Sequence, residues 1–281
     1  MTIVLMLFAQ VIYAEPESGA YQSAFPVNSK FTKVLDTLFH ANETGDFKDS
    51  RRLYLVAKSW NWGDFSSGDS FGYYYAVGNF EYGNGYVDEG FDNLHRGVVL
   101  ATRKKWYARQ AAAEISLGNA YYYLKDISTA IEHYRQAADI EEAKPGVKAA
   151  ASNNIGALLF ETFQHNKDSS YQDSLNPIIE KYLRRSVRIS LEEKSYHRVA
   201  ATYSVMVAWF GHVKAYDSAE VYANRAMKLA QESGRRNRLH FAQIKLAQVL
   251  VWNQQPKRAL ALLDTALAYF DSIEDVEQVI H

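Results

Sequence analysis

The sequence predicts an all-α solenoid: about six antiparallel helix hairpins packed side by side. Two observations predict it. Small residues recur along the chain at near-constant spacing, and the segments around them carry apolar residues at helical intervals. Taking Ala130 as reference, equivalent positions fall at Ser50, Gly90, Ile179, Ala219 and Ala259, with steps of 40, 40, 49, 40 and 40 residues along the row. Seven residues after each stand Ala57, Gly97, Ala137, Ser186, Ala226 and Ala266, all small. Between them lie Tyr54, Leu94, Tyr134, Leu183, Ala223 and Leu263, so only the fifth repeat lacks a large residue there. Helices pack roughly 8 to 10 Å apart, and the nearer limit needs a residue without bulk at the crossing. A ladder of such positions is therefore a ladder of close helix crossings.

The clearest stretch is LGNAYYYLKDISTAIEHYRQA, Leu117 to Ala137. Leu117-Gly118 and Tyr121 on one helix are followed by Ala130, Tyr134 and Ala137 on the next, an order that resembles the tetratricopeptide (TPR) repeat. The period of 40 exceeds the usual TPR length and overlaps that of HEAT and armadillo repeats. The placement of the small residues is what favours TPR. The resemblance implies a right-handed superhelix whose first helices line an inner, ligand-binding surface.

Residues 1–14, MTIVLMLFAQVIYA, have the length and character of a signal peptide, too short for the ~20 residues that span a bilayer. No Lys or Arg precedes this run, and an apolar first helix covering the stack is the alternative. Residues 15–28, with Pro16, Gly19 and Pro26, read as a linker, and the solenoid occupies 29–281. Its first helix starts near Ser29 and carries Phe31, Val34, Leu35, Leu38 and Phe39 as one stripe before the turn Gly45-Asp46-Phe47. Asn61 to Asp69 reads as a long Gly- and Ser-rich connection. The aromatics Phe71, Tyr73, Tyr74 and Tyr75 that follow are expected to pack between the first two repeats.

The fourth repeat departs from the ruler. Gly156 to Ile179 is 23 residues, against 12 from Gly118 to Ala130. The extra residues fall in HNKDSSYQDSLNP, expected to be an edge loop ended by Pro177. Arg235, Arg236 and Arg238 read as a solvated turn. After Ala266, Asp271 to His281 reads as the entry to another first helix. Its apolar positions Val276, Val279 and Ile280 want a cover, from further chain or from a partner.

Composition narrows the function. With 31 basic and 32 acidic residues there is no global field to attract a nucleic acid or an anionic bilayer. Hydrophobic residues at 48% supply enough apolar surface to offset ordering entropy. Cysteine is absent, which removes thiol chemistry, disulfides and thiolate metal sites. No phosphate-binding loop, zinc-protease helix or nucleophile elbow occurs, and the eight histidines show no pair at a spacing of three or four. Neither a catalytic residue, a metal site nor a cofactor is expected.

Inward positions in the TPR pattern correspond to Tyr75, Asn79 and Tyr82, then Asn119, Tyr122 and Tyr123, then Asn153, Ala157 and Phe160. Ser204, His212, Gln248 and Trp252 follow. Asn79 and Asn119 share a slot in successive repeats, and NNIG, from Asn153 and Asn154 to Gly156, resembles the peptide-binding form of the motif. An amide can both donate to and accept from a ligand backbone. The slots that would clamp a C-terminal carboxylate hold Tyr, Asn, Ala and Ser instead of Lys and Arg. The expected function is protein or peptide binding without catalysis. A leader followed directly by such repeats is similar to the extracytoplasmic sensor region of bacterial signalling proteins, which implies a periplasmic location. The alternatives are an assembly scaffold without signalling output and a cytoplasmic location.

Overall fold

The computed structural model describes residues 31–44, 47–232 and 236–280, which form twelve α-helices and one short 3-10 turn, with no strand among them. The helices follow one another as six pairs, five of which pack as hairpins within a unit. The first is α1 (Thr32–Thr44) with α2 (Phe47–Lys58), and the second, after the 3-10 turn Trp62–Asp64, is α3 (Ser67–Gly83) with α4 (Val87–Arg103). The third is α5 (Tyr107–Tyr123) with α6 (Ile127–Asp139), and the fourth α7 (Pro145–His165) with α8 (Ser169–Glu192). The fifth and sixth are α9 (Tyr196–His212) with α10 (Tyr216–Glu232) and α11 (Arg236–Trp252) with α12 (Pro256–Ile280). Two compact units divide between Leu158 and Leu159, within α7. The leader 1–14, the linker 15–28, the helix start at Ser29, the turn at Gly45-Asp46 and Arg235 lie outside the described residues.

Each position expected at a helix crossing is buried. Ser50, Gly90, Ala130, Ile179, Ala219 and Ala259 are shielded from solvent, as are Ala57, Gly97, Ala137, Ser186, Ala226 and Ala266. At Gly90 the approach is to backbone: a β-carbon there would stand 2.5 Å from the Tyr82 backbone nitrogen, so α4 rests directly on the main chain of α3. Of the large residues between, Leu94, Tyr134 and Leu183 are fully buried, whereas Leu263 on α12 is 38% exposed.

In the second pair the two helices differ in how much of their circumference is covered. On α3 every residue from Phe71 to Tyr82 except Tyr74 is buried, so no polar face remains; such a helix must be surrounded. α4, by contrast, buries only Gly90, Leu94, Gly97 and Ala101, a single stripe. The aromatic cluster does pack between repeats: Tyr75 of α3 stacks on Phe39 of α1 at 4.9 Å.

Six helices have the same length, 17 residues, and six turns share one geometry. Gly85, Lys105, Lys125, Lys194, Lys214 and Gln254 each take a positive φ between 55° and 89°. The next amide reaches back into the preceding helix each time, for example Trp106 N to Ala101 O at 2.9 Å and Asp126 N to Tyr121 O at 3.0 Å. This is the Schellman termination, which satisfies carbonyls that the helix end would leave unpaired. A helix of 17 residues and a three-residue turn make a half-repeat of 20, the origin of the 40-residue step.

Three segments correct the expectation from sequence. The polar stretch in the fourth pair is not an edge loop; it lengthens α7 to 21 and α8 to 24 residues, with Pro177 inside α8. Asp168 caps α8 by accepting from Ser170 N at 2.9 Å, and Gln172 Nε2 donates to Phe163 O and Asn166 O at 3.0 and 2.6 Å. Asp271 to Ile280 does not start a new helix either. α12 runs on through it for 25 residues, since no Gly, Pro or capping turn interrupts Ala266 to Ile280. The 61–69 connection is also shorter than expected, because α3 starts at Ser67 behind a capping box between Ser66 and Asp69.

Candidate peptide-binding surface

The C-terminal turn of α5 is set by its contact with α6. Gly118 leaves room for the fully buried Tyr134 ring, and the Tyr134 hydroxyl donates to Asn119 Oδ1 at 2.7 Å. That bond fixes which end of the amide faces inward, leaving Asn119 Nδ2 as the donor available to a ligand carbonyl. Tyr122 is half-buried with the Lys125 ammonium 4.9 Å from its ring centroid. Tyr123 is 61% and Leu124 50% exposed. Hydrogen bonds from Thr129, through side chain and backbone, and from Ser128 hold the Asp126 carboxyl below the usual range and start α6 immediately after the turn. One amide, two tyrosines and a leucine thus stand on one rigid turn, able to donate to a peptide backbone and to cover apolar side chains.

The other predicted ligand residues are placed differently. Tyr75, Asn79, Tyr82, Asn153, Asn154 and Phe160 are buried, none more than 7% exposed, so as placed here they are not open to a partner. Asn79 Nδ2 donates to Tyr75 O at 2.7 Å, the carbonyl one turn back on its own helix. Asn153 Nδ2 lies 3.4 Å from Asn154 Oδ1. The physical reason is the all-round covering of α3 and of α7 from Ala151 to Phe160, which a spacing rule for one inward stripe does not register. Trp252 is half-buried on α11, where its ring packs on Gly211 of α9; His212 packs edge-on against Phe160 and Phe163.

Beside the α5 turn lies a polar cluster that sequence reasoning did not assemble, because its members come from three helices. Glu114, only 2% exposed on α5, meets His133 Nδ1 of α6 at 2.8 Å. The His133 ring stacks on Tyr121 at 5.1 Å, and His95 Nε2 of α4 lies 3.3 Å from the Tyr121 hydroxyl. Burial, and then the neighbouring His133, push His95 below the ordinary histidine value. Among the described residues no Ser or Thr hydroxyl is hydrogen-bonded to His133, and no group of three or more His, Asp or Glu is placed to hold a metal ion. Nor is any described helix long and apolar enough to cross a membrane.

No family model and no curated protein matches the sequence. Solved structures do match. BtubC (BKLC) from P. vanneervenii superposes with a TM-score of 0.64 at 15% identity, over 88% of this chain and 93% of that one. Aspartyl phosphate phosphatase F from Bacillus subtilis gives 0.61 at 14% identity, over 89% and 67%. The kinesin light chain of Podosopora anserina, with its nearly identical TPR-like repeats, gives 0.58 at 15% identity, over 72% and 95%. These likenesses, with the buried small-residue ladder and the hairpin order, make the fold of this chain an all-α solenoid of TPR-like repeats.

Proposed function

We propose that this chain is a non-enzymatic protein- or peptide-binding module, and that it serves as the exported, periplasmic sensory part of a bacterial signalling protein. The observation that carries the binding reading is the Asn119, Tyr122 and Tyr123 turn: an oriented amide donor beside accessible aromatic surface, held by a fully buried neighbour. Aromatic area with a few placed polar groups is what peptide recognition uses. The export and signalling parts rest on layout, an apolar leader at 1–14 directly ahead of repeats. Capture of a partner by crosslinking tests the binding reading. Asn119→Ala with Tyr122→Ala is expected to lose a partner that the native protein retains; equal capture would move the site elsewhere. Alkaline phosphatase fused after residue 28 tests export, and an inactive fusion would overturn it.

The scaffold reading has one observation in its favour. Leu260 and Leu267 on α12 are 58% and 59% exposed with Leu263 between them, a stripe suited to a partner subunit. A partner captured through Leu260→Glu-sensitive contacts, with no signalling output attached to the gene, would select it.

A further inference from the structure

We propose that the cleft between α8 and α10, floored by α9, is a docking site for an acidic peptide segment that also carries apolar side chains. The cleft encloses about 380 Å³. Its floor is apolar: Tyr203 and Met206 of α9 are 6% and 1% exposed, and Leu191 of α8, 45% exposed, forms part of one wall. Around this floor stand three guanidinium groups, Arg184 and Arg188 from α8 and Arg225 from α10.

The three arginines are not equally engaged. Arg184 is held by Glu180, with Nε and an NH2 group 2.7 and 2.6 Å from its carboxylate. Arg188 reaches Glu192 only at 3.7 Å. Arg225 lies over the Tyr222 ring at 5.3 Å, and no carboxylate lies within 4 Å of it among the described residues. Tyr222 is itself fixed by stacking on Phe210 at 5.4 Å and by Tyr203 at 5.3 Å. Arg225 is therefore a planar, pre-oriented fork without an anionic partner, facing a cleft that Arg188 shares. Guanidinium forks match carboxylates in pairs of hydrogen bonds, and less ordering is lost when the fork is already held. The apolar floor calls for side chains as well as charge, which a bare anion lacks. Glu180 and Glu192 interrupt the basic row, so a continuous polyanion is disfavoured. The chain as a whole carries −1, which makes the excess local to this cleft.

The site lies on helices other than the one bearing Asn119 and Tyr122, so the two readings fail separately. The test is fluorescence anisotropy of the whole protein with a labelled peptide of alternating glutamate and leucine or phenylalanine, and with a control carrying lysine for glutamate. Saturable binding of the acidic peptide is expected, weakened by added salt and by about tenfold or more in Arg188→Glu with Arg225→Glu. Arg51→Glu with Arg52→Glu, an equal charge change on α2, is expected to leave it unchanged. Thermal scans of each variant confirm folding. No saturable binding, equal binding of the lysine peptide, or equal loss in the α2 variant would overturn the proposal. So would affinity for a phosphorylated or nucleic-acid probe alone.

Discussion

The ring of Tyr134 lies so close over Gly118 that a β-carbon at residue 118 would stand 2.6 Å from the Tyr134 Cε1 atom. The ring cannot retreat freely, because it is fully buried and its hydroxyl is bonded to Asn119. Replacing glycine by alanine inside a helix gains about 1 kcal/mol, whereas overpacking a closed core costs roughly 1 to 3 kcal/mol. Gly118→Ala is therefore expected to be destabilising on balance, and Ala130→Leu more so, since it adds bulk at the crossing without a helix-propensity gain of that size. Denaturant midpoints of the variants against the native protein check both.

The two glycines of α4 should respond in opposite directions. A β-carbon on Gly90 would strike the Tyr82 backbone at 2.5 Å, and a main chain cannot step aside. On Gly97 the nearest atom, Tyr74 Cβ, is 3.6 Å away, an ordinary contact. Gly97→Ala is expected to stabilise by about 1 kcal/mol and Gly90→Ala to destabilise by about 1 to 3 kcal/mol, read as opposite shifts in melting temperature.

Lysine occupies the left-handed position at four of the six shared turns, with φ of 55° to 65°. That conformation costs an L-residue about 1 to 2 kcal/mol, and glycine adopts it freely but loses more backbone entropy on folding. The balance predicts a gain of roughly 0.5 to 1 kcal/mol for Lys125→Gly, and about the same for Lys214→Gly. Because the turns are far apart in sequence with no shared partner, the two gains should add in a double variant measured by thermal unfolding.

His95 should make stability fall toward acid pH. Its folded value lies below the ordinary one, owing to burial and to His133, against the opposing pull of Glu114 and Asp92. The unfolded chain therefore takes up a proton first as pH drops through the ordinary histidine value of about 6.5, and unfolding becomes more favourable in and just below that window. His95→Gln is expected to flatten the stability profile there while leaving it unchanged above. An equal slope in the variant would place the effect on another residue.

Helix crossings were legible because each depends on one side chain being small, a property written at single positions such as Ala130 and Gly90. What was not legible depends on partners distant in sequence. Pro177 reads as a loop signal locally, since a proline inside a helix costs about 3 kcal/mol. Yet it sits in α8, where Leu175 and Ile179 are buried and the Trp209 indole donates to Asn176 Oδ1 at 3.0 Å. Glu81 shows no sign in the sequence of being fully buried, but Tyr54, Lys58 and Asn93 from two other helices all converge on its carboxylate. Tyr75, Asn79, Tyr82, Asn153 and Asn154 follow the same rule: spacing placed them on one stripe of α3 and α7, and packing covered that stripe along with the others.

The turn geometry shared by Gly85, Lys105, Lys125, Lys194, Lys214 and Gln254 has a consequence for the chain as an assembly of parts. Gly85 and Lys125 are equivalent joints 40 residues apart, each leaving a helix with the same backbone bend. Excising or duplicating that length between two such joints rejoins the polypeptide in phase, each helix meeting its new neighbour through the same face as before. The molecule can in this way be shortened or extended one cassette at a time, by genetic events or by an engineer, without redesign of the seams.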